Sequence, residues 1–189
     1  MTALAFTEKL IWSLPTALPV ELLDLMEKQF DELEFSAGTV GIESTTVNKT
    51  TRDSDVKFLP WDEWIPAMMW SIMHTTNQEY FKYDLNYWET NLQATRYRGE
   101  SKQHYGWHYD EIHGAEKQRK LSCSLLLNED YEGGELEFYH CPDNDWSPII
   151  KPKRGEMIIF PAWLSHRVRQ VTSGTRKSLV GWAWGPPFR

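Results

Sequence analysis

Seven short apolar segments in the second half of the chain place the strongest limit on its fold. Turn-forming or polar residues bound each segment, a texture typical of strands in a sandwich or barrel. The predicted strands are Leu92–Tyr97, Leu121–Leu127, Glu135–Tyr139, Pro148–Lys151, Glu156–Phe160, His166–Val171 and Lys177–Trp184. Between two of them, residues 128–134 form a polar turn in which Gly133 and Gly134 are expected to take positive φ. The pattern predicts a small antiparallel double sheet.

The first half of the chain has the periodicity of helices. Pro19 opens a stretch in which apolar residues recur every three or four positions while acidic residues take the other face. Its apolar members are Leu22, Leu23, Met26, Phe30 and Leu33. A second helix is predicted after Pro60, with Asp62 and Glu63 in its first turn, although Pro66 favours a later start. We expect a mainly β fold with helical support over about residues 1–90 and a β core over about 91–185.

The length of 189 residues suits one domain and is short for two. No sequence repeat and no linker rich in Gly, Ser or Pro divides the chain. The sequence therefore predicts that residues 1–189 form a single domain.

The charge balance limits the partners. Lys and Arg total 20 against 27 Asp and Glu, giving a formal charge of −7, and an acidic surface disfavours nucleic acid. No apolar run approaches the roughly 18 residues that span a bilayer, and residues 1–14 lack the layout of a signal peptide. These observations predict a cytoplasmic protein without a membrane partner. Consistent with that compartment, Cys123 and Cys141 are expected to be reduced, partly buried thiols, too few for a closed zinc site.

A histidine and an aspartate two positions apart, His108 and Asp110, are the first candidate metal ligands. In an extended segment residues i and i+2 point to the same face, so both side chains can reach one ion. His166 opens a later predicted strand and could complete a set of two imidazoles and one carboxylate. Such a set leaves three coordination positions open, as non-haem Fe(II) oxygen chemistry requires.

Ten residues after His166 comes Arg176, followed two positions later by Ser178. In a strand these residues share a face with Val180, Trp182 and Trp184, so guanidinium and hydroxyl would project into an aromatic-lined interior. A buried guanidinium requires an anion, and a ligand carboxylate bound in bidentate fashion is one candidate. Pairing of Arg176 with an acidic residue elsewhere in the chain is the alternative.

The chain resembles the Fe(II)/2-oxoglutarate-dependent dioxygenases, specifically the prolyl 4-hydroxylase-like group that includes short bacterial and phage forms. The resemblance covers roughly residues 39–185. Its motifs are Arg52-Asp53-Ser54 with Phe58-Leu59, Tyr105-Gly106-Trp107-His108-Tyr109-Asp110, Arg119-Lys120-Leu121-Ser122, Tyr131-Glu132-Gly133-Gly134-Glu135-Leu136, Met157-Ile158-Ile159-Phe160-Pro161, and His166 through Arg176, Ser178 and Trp182.

The resemblance implies a double-stranded β-helix core (a jelly roll of the cupin type) with N-terminal helices. It implies that His108, Asp110 and His166 bind Fe(II), and that Arg176 holds the distal carboxylate of the cosubstrate 2-oxoglutarate, helped by Tyr97 and Ser178. O2 would be the second cosubstrate, with ascorbate as a reductant. The expected reaction is hydroxylation of a proline in a peptide or protein, with release of succinate and CO2.

Three further residues match positions that hold the substrate in peptidyl-proline hydroxylases, namely Tyr105, Arg119 and Trp182. The chain departs from the family in carrying Arg176 where those enzymes usually have Lys, and in a longer stretch between Tyr97 and His108. Either cation can bind a carboxylate, so cosubstrate use is still expected.

Other interpretations stay open from the sequence alone. They are a hydroxylase of a free amino acid or another small metabolite, a nucleic-acid dealkylase, and a non-catalytic binding module that retains the barrel. Lys117, Arg119 and Lys120 form a small basic patch that suits either nucleic acid or a solvated strand edge. Residues 111–118 have the length and polarity of a lid over the site. The remaining histidines, His74, His104, His113 and His140, are expected to lie at the surface or behind the ligands.

Overall fold

The computed structural model describes residues 10–16, 18–40, 46–60, 62–88, 91–112, 116–139 and 148–188. The α-helices among these residues are α1 (Val20–Asp31) and α2 (Trp64–Thr76), and a π-helical turn, Asn77–Phe81, continues α2. The strands of the described residues are β1 (Trp12–Pro15), β2 (Ser36–Ala37), β3 (Arg52–Asp53), β4 (Asp55–Pro60), β5 (Tyr87–Trp88), β6 (Asn91–Arg98), β7 (His104–His108), β8 (Gln118–Leu126), β9 (Tyr131–Gly133), β10 (Leu136–Tyr139), β11 (Ile149–Ile150), β12 (Glu156–Pro161), β13 (Ser165–Val168) and β14 (Val171–Gly185).

Two antiparallel sheets contain these strands. The larger sheet runs in the order β1-β12-β8-β14-β6-β4-β2, with β5 and β9 also paired to β14. The smaller sheet runs β11-β10-β13-β7-β3. Strands that follow one another in sequence often lie in different sheets. Residues distant in sequence therefore become neighbours in the interior between the two sheets. The arrangement confirms the predicted mainly β fold, a double-stranded β-helix with N-terminal helices.

The larger sheet is buried on both faces. Within β12, Ile158 and Phe160 pack into the cluster shared with the smaller sheet, whereas Met157 and Ile159 pack into the cluster shared with the helices. This alternation is the two-residue period of a strand. It explains why β12 is a continuous apolar run, since a strand covered on both faces has no polar side.

The helices supply the outer layer of that sheet. Met26 and Phe30 of α1 and Met69 and Met73 of α2 are almost fully buried in the same cluster as the outward side chains of the sheet. Helix α2 begins at Trp64, after the acidic residues that predicted it, and Pro66 occupies its third position. Proline is tolerated there because the first-turn N–H groups have no helical acceptor. None of the helices in the described residues is long and apolar enough to cross a bilayer.

The helical prediction for the first ninety residues is incomplete. Strands β1, β2, β4 and β5 join the larger sheet and β3 joins the smaller one. These pieces have two to six residues, and β4 pairs with β6 residue by residue, from Asp55 opposite Arg96 to Pro60 opposite Asn91. Such strands are fixed by hydrogen bonds to partners far along the chain, which periodicity within one segment does not reveal.

The predicted turn at residues 128–134 is confirmed in its glycines, with φ of 73° at Gly133 and 67° at Gly134. Asn128 is buried, donates to the Thr175 carbonyl at 2.7 Å and accepts from the Lys177 N–H at 2.8 Å. It ties this turn to β14. Cys123 is a free thiol with no exposed surface, more buried than predicted, and Cys141 lies outside the described residues.

Candidate active site

A cavity of about 610 Å³ opens among side chains of both sheets. Its lining includes His108, Asp110, His166, Arg176, Ser178, Tyr97, Tyr105, Arg119 and Trp182. Every residue that the sequence singled out for metal, cosubstrate or substrate therefore faces one space, although 85 positions separate Tyr97 from Trp182.

The three candidate metal ligands converge at one wall of the cavity. His108 ends β7 and lies opposite His166 in the β7–β13 pair. Asp110 follows the strand end, where its N–H donates to the carbonyl of Ala162 at 3.0 Å. Asp110 Oδ1 is 3.7 Å from His108 Nε2, and Asp110 Oδ2 is 3.5 Å from His166 Nε2. The three donor atoms lie within 4.8 Å of one another, close enough to share one ion.

Hydrogen bonding selects the tautomer of both imidazoles. His108 Nδ1 is 2.8 Å from the Gly106 carbonyl oxygen, and His166 Nδ1 is 3.0 Å from the Leu164 carbonyl oxygen. A carbonyl can only accept, so each Nδ1 carries the proton and each Nε2 presents a lone pair. Metal-binding histidines typically donate their other ring N–H to a backbone carbonyl or a carboxylate in this way.

The electrostatics keep the set in its metal-binding protonation state. Burial lowers the pKa of His108, and the neighbouring His166 lowers it further. Burial alone would raise the pKa of Asp110, but His166 and His108 outweigh it and leave that pKa below the ordinary value. A neutral imidazole and an ionised carboxylate are the forms that coordinate a metal. Two nitrogens and one oxygen, all on one side of a space with further room, fit the facial set of a non-haem Fe(II) site.

Arg176 forms a cationic end of the cavity. Its side chain is 1% exposed, and Nη1 donates to Ser178 Oγ at 2.8 Å. Within the described residues, Nε has no hydrogen-bond partner and no carboxylate lies within ion-pair distance. The alternative that Arg176 pairs with an acidic residue elsewhere finds no support there. A buried guanidinium without an anion is costly, so this end of the cavity suits the carboxylate of a ligand.

The lack of a side chain at Gly134 leaves the space that Arg176 occupies. Gly134, at positive φ, lies so close that a Cβ on it would be 2.9 Å from Arg176 Cδ and 2.8 Å from Val171. Tyr97 lies opposite Arg176 in the β6–β14 pair, with its ring centre 5.8 Å from the guanidinium carbon. Burial raises the pKa of Tyr97, although Arg52 and Arg176 act in the opposite direction, so its hydroxyl stays protonated and able to donate.

The residues predicted to bind the substrate line the cavity and also lie against the candidate metal ligands. The ring of Tyr105 stacks on that of His108, with centroids 3.6 Å apart and planes 11° apart. The Arg119 guanidinium lies 4.2 Å from the ring centre of Trp182, and its Nη1 is 3.3 Å from the carbonyl oxygen of Asp110.

Trp184 was predicted to share a face with Arg176 and Trp182. The Arg119 guanidinium carbon lies 4.2 Å from the ring centre of Trp182 and 5.6 Å from that of Trp184, so both indoles lie on the same side of β14. The register of β14 against β8 shifts between Ala183 and Trp184, but the residue skipped is Lys120 of β8, so the alternation along β14 continues. Trp184 stacks on Tyr87, with planes 9° apart, and is not among the residues lining the cavity.

The basic patch lies at the beginning of β8, where Arg119 and Lys120 precede Leu121, the last residue of β8 that pairs with β12, and where Lys117 is exposed. Lys117 and Lys120 lie against aromatic rings, Lys117 on Tyr87 and Trp184 and Lys120 on Phe188. Lys120 is only 3% exposed.

Of the other histidines, His74 and His104 belong to the described residues, and neither is among those lining the cavity. His104 is bonded to the Thr50 and Lys102 carbonyls, and His74 packs near Trp70. His113 and His140 lie outside the described residues, as does the centre of the proposed lid, residues 113–115.

Two cavity residues were missed as functional groups by the sequence analysis, Arg52 and Gln93. Arg52 entered only as part of a family motif. Its burial, 8% exposed, follows from its place in β3 beside β7. A buried arginine in a two-residue strand leaves no periodic signal, so only the tertiary structure identifies it.

Residues 92–184 match the model of the 2OG-Fe(II) oxygenase superfamily. A PKHD-type hydroxylase of Synechococcus sp. strain CC9902 is 39% identical over 80 residues, which are 41% of this chain and 35% of that protein. A PKHD-type hydroxylase of Crocosphaera subtropica is 38% identical over 97 residues, 49% of this chain and 41% of that protein. The chain thus spans 35% to 41% of the length of these curated relatives.

Solved structures share the fold over nearly the whole chain. A Pseudomonas putida prolyl-4-hydroxylase superposes with a TM-score of 0.73 at 18% identity, covering 94% of both chains. A Trichoplax adhaerens prolyl hydroxylase in complex with a hypoxia inducible factor peptide fragment gives 0.74 at 18% identity, covering 94% of this chain and 84% of that one. The viral collagen prolyl hydroxylase of Paramecium bursaria Chlorella virus-1, as its 2OG complex, gives 0.68 at 20% identity, covering 95% and 98%.

Proposed function

Because residues 92–184 belong to the 2OG-Fe(II) oxygenase superfamily, we propose that the chain is an Fe(II)- and 2-oxoglutarate-dependent dioxygenase that hydroxylates a proline in a peptide or protein. The proposal rests on one observation. The cavity is lined both by His108, Asp110 and His166 and by Arg176, a buried cation that suits the carboxylate of a ligand. Neither feature alone would distinguish a dioxygenase from another metalloprotein.

In this proposal His108, Asp110 and His166 hold Fe(II). When bound, ferrous iron supplies the activation of O2, coupled to conversion of 2-oxoglutarate to succinate and CO2 and to hydroxylation of a C–H bond. The protein prepares for this by presenting two Nε2 lone pairs and an ionised carboxylate. The two backbone-bonded Nδ1 groups fix the imidazole orientation before any metal arrives.

Arg176 and Ser178 anchor the distal carboxylate of 2-oxoglutarate. The free Nε and the remaining guanidinium protons are available for a bidentate bond, and the Ser178 hydroxyl, already bonded to Nη1, lies beside it. The protonated Tyr97 hydroxyl is proposed as a further donor. These groups set the depth at which the cosubstrate lies, because the guanidinium is held rigidly on a central strand.

The peptide substrate is proposed to enter beside Tyr105, Arg119 and Trp182. These aromatic and cationic walls exclude water from the reacting C–H bond and limit its position. The Trichoplax structure contains a peptide fragment, which supports a peptide or protein as the class of substrate. We also propose that residues 1–189 act as one domain and that ascorbate serves as the reductant.

The primary test is spectroscopic. Anaerobic addition of Fe(II) and 2-oxoglutarate should produce a weak visible charge-transfer band that is absent from His108→Ala. His104→Ala is the matched control, because His104 lies on the same strand but bonds to backbone carbonyls at the surface. The absence of a band from the wild-type protein would contradict the oxygenase assignment.

The substrate test is separate. Proline-containing peptides should stimulate succinate release and gain the mass of one oxygen. Stimulation by small metabolites, with none by a varied peptide library, would reject the prolyl peptide and leave the oxygenase assignment standing.

A further inference from the structure

Arg52 contributes a second buried guanidinium to the cavity, and hydrogen bonds from three of its nitrogens hold it in place. Nε donates to Ser54 Oγ at 2.9 Å, Nη1 to the Thr39 carbonyl at 3.2 Å and Nη2 to Gln93 Oε1 at 3.1 Å. Gly38 leaves room for the Arg52 side chain, since a Cβ there would be 2.8 Å from Arg52 Nε. All these partners are neutral. Three of the five guanidinium protons are engaged in these bonds, and the side chain of Tyr105 is a further hydrogen-bond partner of the guanidinium.

The charge of Arg52 is uncompensated in the described part of the chain. No carboxylate there lies within 4.0 Å of its guanidinium. Its neighbour Asp53 accepts from Gln103 and pairs with Lys49 instead. Removing a guanidinium from water without an anion is unfavourable, so the position suits a negatively charged group of a ligand.

Arg52 is also close to the reacting centre. Its guanidinium carbon is 4.6 Å from the ring centre of Tyr105, whose ring stacks at 3.6 Å on that of the metal-ligand candidate His108. An anion at Arg52 is therefore separated from the metal set by little more than one aromatic ring. This is the distance range of a group on the substrate molecule itself.

The cosubstrate does not use this cation. In the proposed function, one carboxylate of 2-oxoglutarate is held by Arg176 and the other lies at the metal. Three guanidiniums line the cavity, from Arg52, Arg119 and Arg176, against two carboxylates among its described lining residues, Asp110 and Glu111. Asp110 belongs to the metal set, and Glu111 accepts a hydrogen bond from Gln118.

We propose that Arg52 binds a carboxylate of the primary substrate, so that the enzyme selects a proline that carries or adjoins an anionic group. The inference rests on the oxygenase chemistry of the proposed function and concerns the charge of its primary substrate. The carboxylate has two possible sources, the α-carboxylate of a terminal or free amino acid and the side chain of an acidic residue next to the proline. Both present the same planar acceptor to the guanidinium.

Matched compound pairs test the proposal without any change to the protein. The first pair is an acetylated dipeptide ending in proline, as acid and as amide. The second is an amidated peptide in which proline is followed by glutamate or by glutamine. The third is L-proline and L-prolinamide. Dissociation constants are measured by tryptophan fluorescence for the metal-free protein and for the protein loaded with Mn(II) and 2-oxoglutarate.

The charged member of at least one pair should bind about 10- to 100-fold more tightly than the neutral member, as for a buried charge-assisted hydrogen bond. The pair that shows the preference identifies the source of the carboxylate. Equal affinity within all three pairs, or binding of none of the six compounds, overturns the proposal. The proposed function would fail differently, through loss of the Fe(II) and 2-oxoglutarate band.

Variants then assign the preference to one residue. Arg52→Gln should bring the charged-to-neutral ratio close to 1, and Arg52→Lys should retain part of it because the charge remains. Arg96→Gln is the control, since Arg96 is a guanidinium of the same region that pairs with Asp55 and is not among the residues lining the cavity. A full preference retained in a folded Arg52→Gln, judged by circular dichroism, would reject the role of Arg52. Should that variant not fold, the Arg52→Lys ratio decides, and an unchanged ratio counts against the proposal.

Discussion

His108 and His166 lie opposite each other in the β7–β13 pair, with ring centroids 4.2 Å apart, and each bonds through Nδ1 to the carbonyl two residues before it. The same local geometry thus occurs twice, on two strands almost sixty residues apart in sequence. Since strand pairing fixes both backbones, the two Nε2 atoms are aimed before a metal binds. The preorganisation is a property of the smaller sheet rather than of any loop.

The carboxylate of Asp110 completes the set of metal ligands, and its removal should weaken metal binding. Asp110→Asn keeps the shape but replaces one charged oxygen by an amide. We expect Mn(II) affinity, measured by isothermal titration, to fall by more than the roughly 10- to 100-fold typical of losing an outer partner of a metal ligand. Asp31→Asn, which alters a surface carboxylate bonded to Lys177, should bind Mn(II) as the wild type does. Comparable affinity in both variants would remove Asp110 from the ligand set.

Neighbouring residues on β14 offer a controlled test of the cosubstrate anchor. Arg176 points into the cavity, whereas Lys177 points to the opposite face and bonds to Glu27 and Asp31. Arg176→Gln should raise the 2-oxoglutarate concentration needed for half-maximal turnover by about 10- to 100-fold, since a charged hydrogen bond is lost. Arg176→Lys should cost less. Mn(II) binding should survive in both, and Lys177→Gln should leave the 2-oxoglutarate requirement unchanged; an unchanged requirement in Arg176→Gln would contradict the anchor.

The face of Arg176 could be predicted because a strand has a strict period of two. Arg176, Ser178, Val180 and Trp182 all line the cavity, as the spacing predicts. Trp184 keeps that face, since the Arg119 guanidinium lies against its ring as well as that of Trp182, but it lies outside the cavity and stacks on Tyr87. The period of two predicts the face of a residue, whereas the extent of the cavity along the strand depends on the elements packed against it, which the β14 sequence does not reveal.

The residues before 91 were harder to interpret for a related reason. Helices α1 and α2 follow from local periodicity, because their buried residues recur at three- and four-residue spacing. Arg52 lies in a two-residue strand whose place depends on Tyr105 and His104 opposite it. Its burial and its orientation toward the cavity arise only when the smaller sheet forms, so the sequence predicts the metal set but not this cation.

An ion network attaches α1 to the larger sheet and predicts a pH-dependent stability. Glu27 accepts from Arg154 Nη2 and from Lys177 Nζ, each at 3.0 Å. Burial would lower the pKa of Lys177, but its bonds to Asp31 and Glu27 outweigh this and raise it above its ordinary value of 10.5. Stability from a raised lysine pKa is present below the unfolded pKa and disappears as pH rises through the folded one.

Glu27→Gln should therefore lower the free energy of unfolding by roughly 1 kcal/mol near pH 8, since the network is partly exposed. Urea titrations at pH 8 and above pH 11 should show the difference from wild type shrinking, while the contribution of Arg154 persists. Glu21→Gln, at an exposed carboxylate of the same helix, is the control and should change little. A difference that grows at high pH would refute the role of Lys177.

Cys123 should be chemically silent in the folded protein. Its side chain has no exposed surface, and burial raises the pKa of its thiol to about 12, so only about one molecule in ten thousand is thiolate at pH 8. In a Cys141→Ser background, a thiol reagent at pH 8 should modify no residue of the native protein and one residue after denaturation. Adding the surface change Ser173→Cys to that background should give one rapidly reacting native thiol. Rapid native reaction of Cys123 itself would mean that the layer between α1, α2 and the larger sheet opens far more readily than its packing indicates.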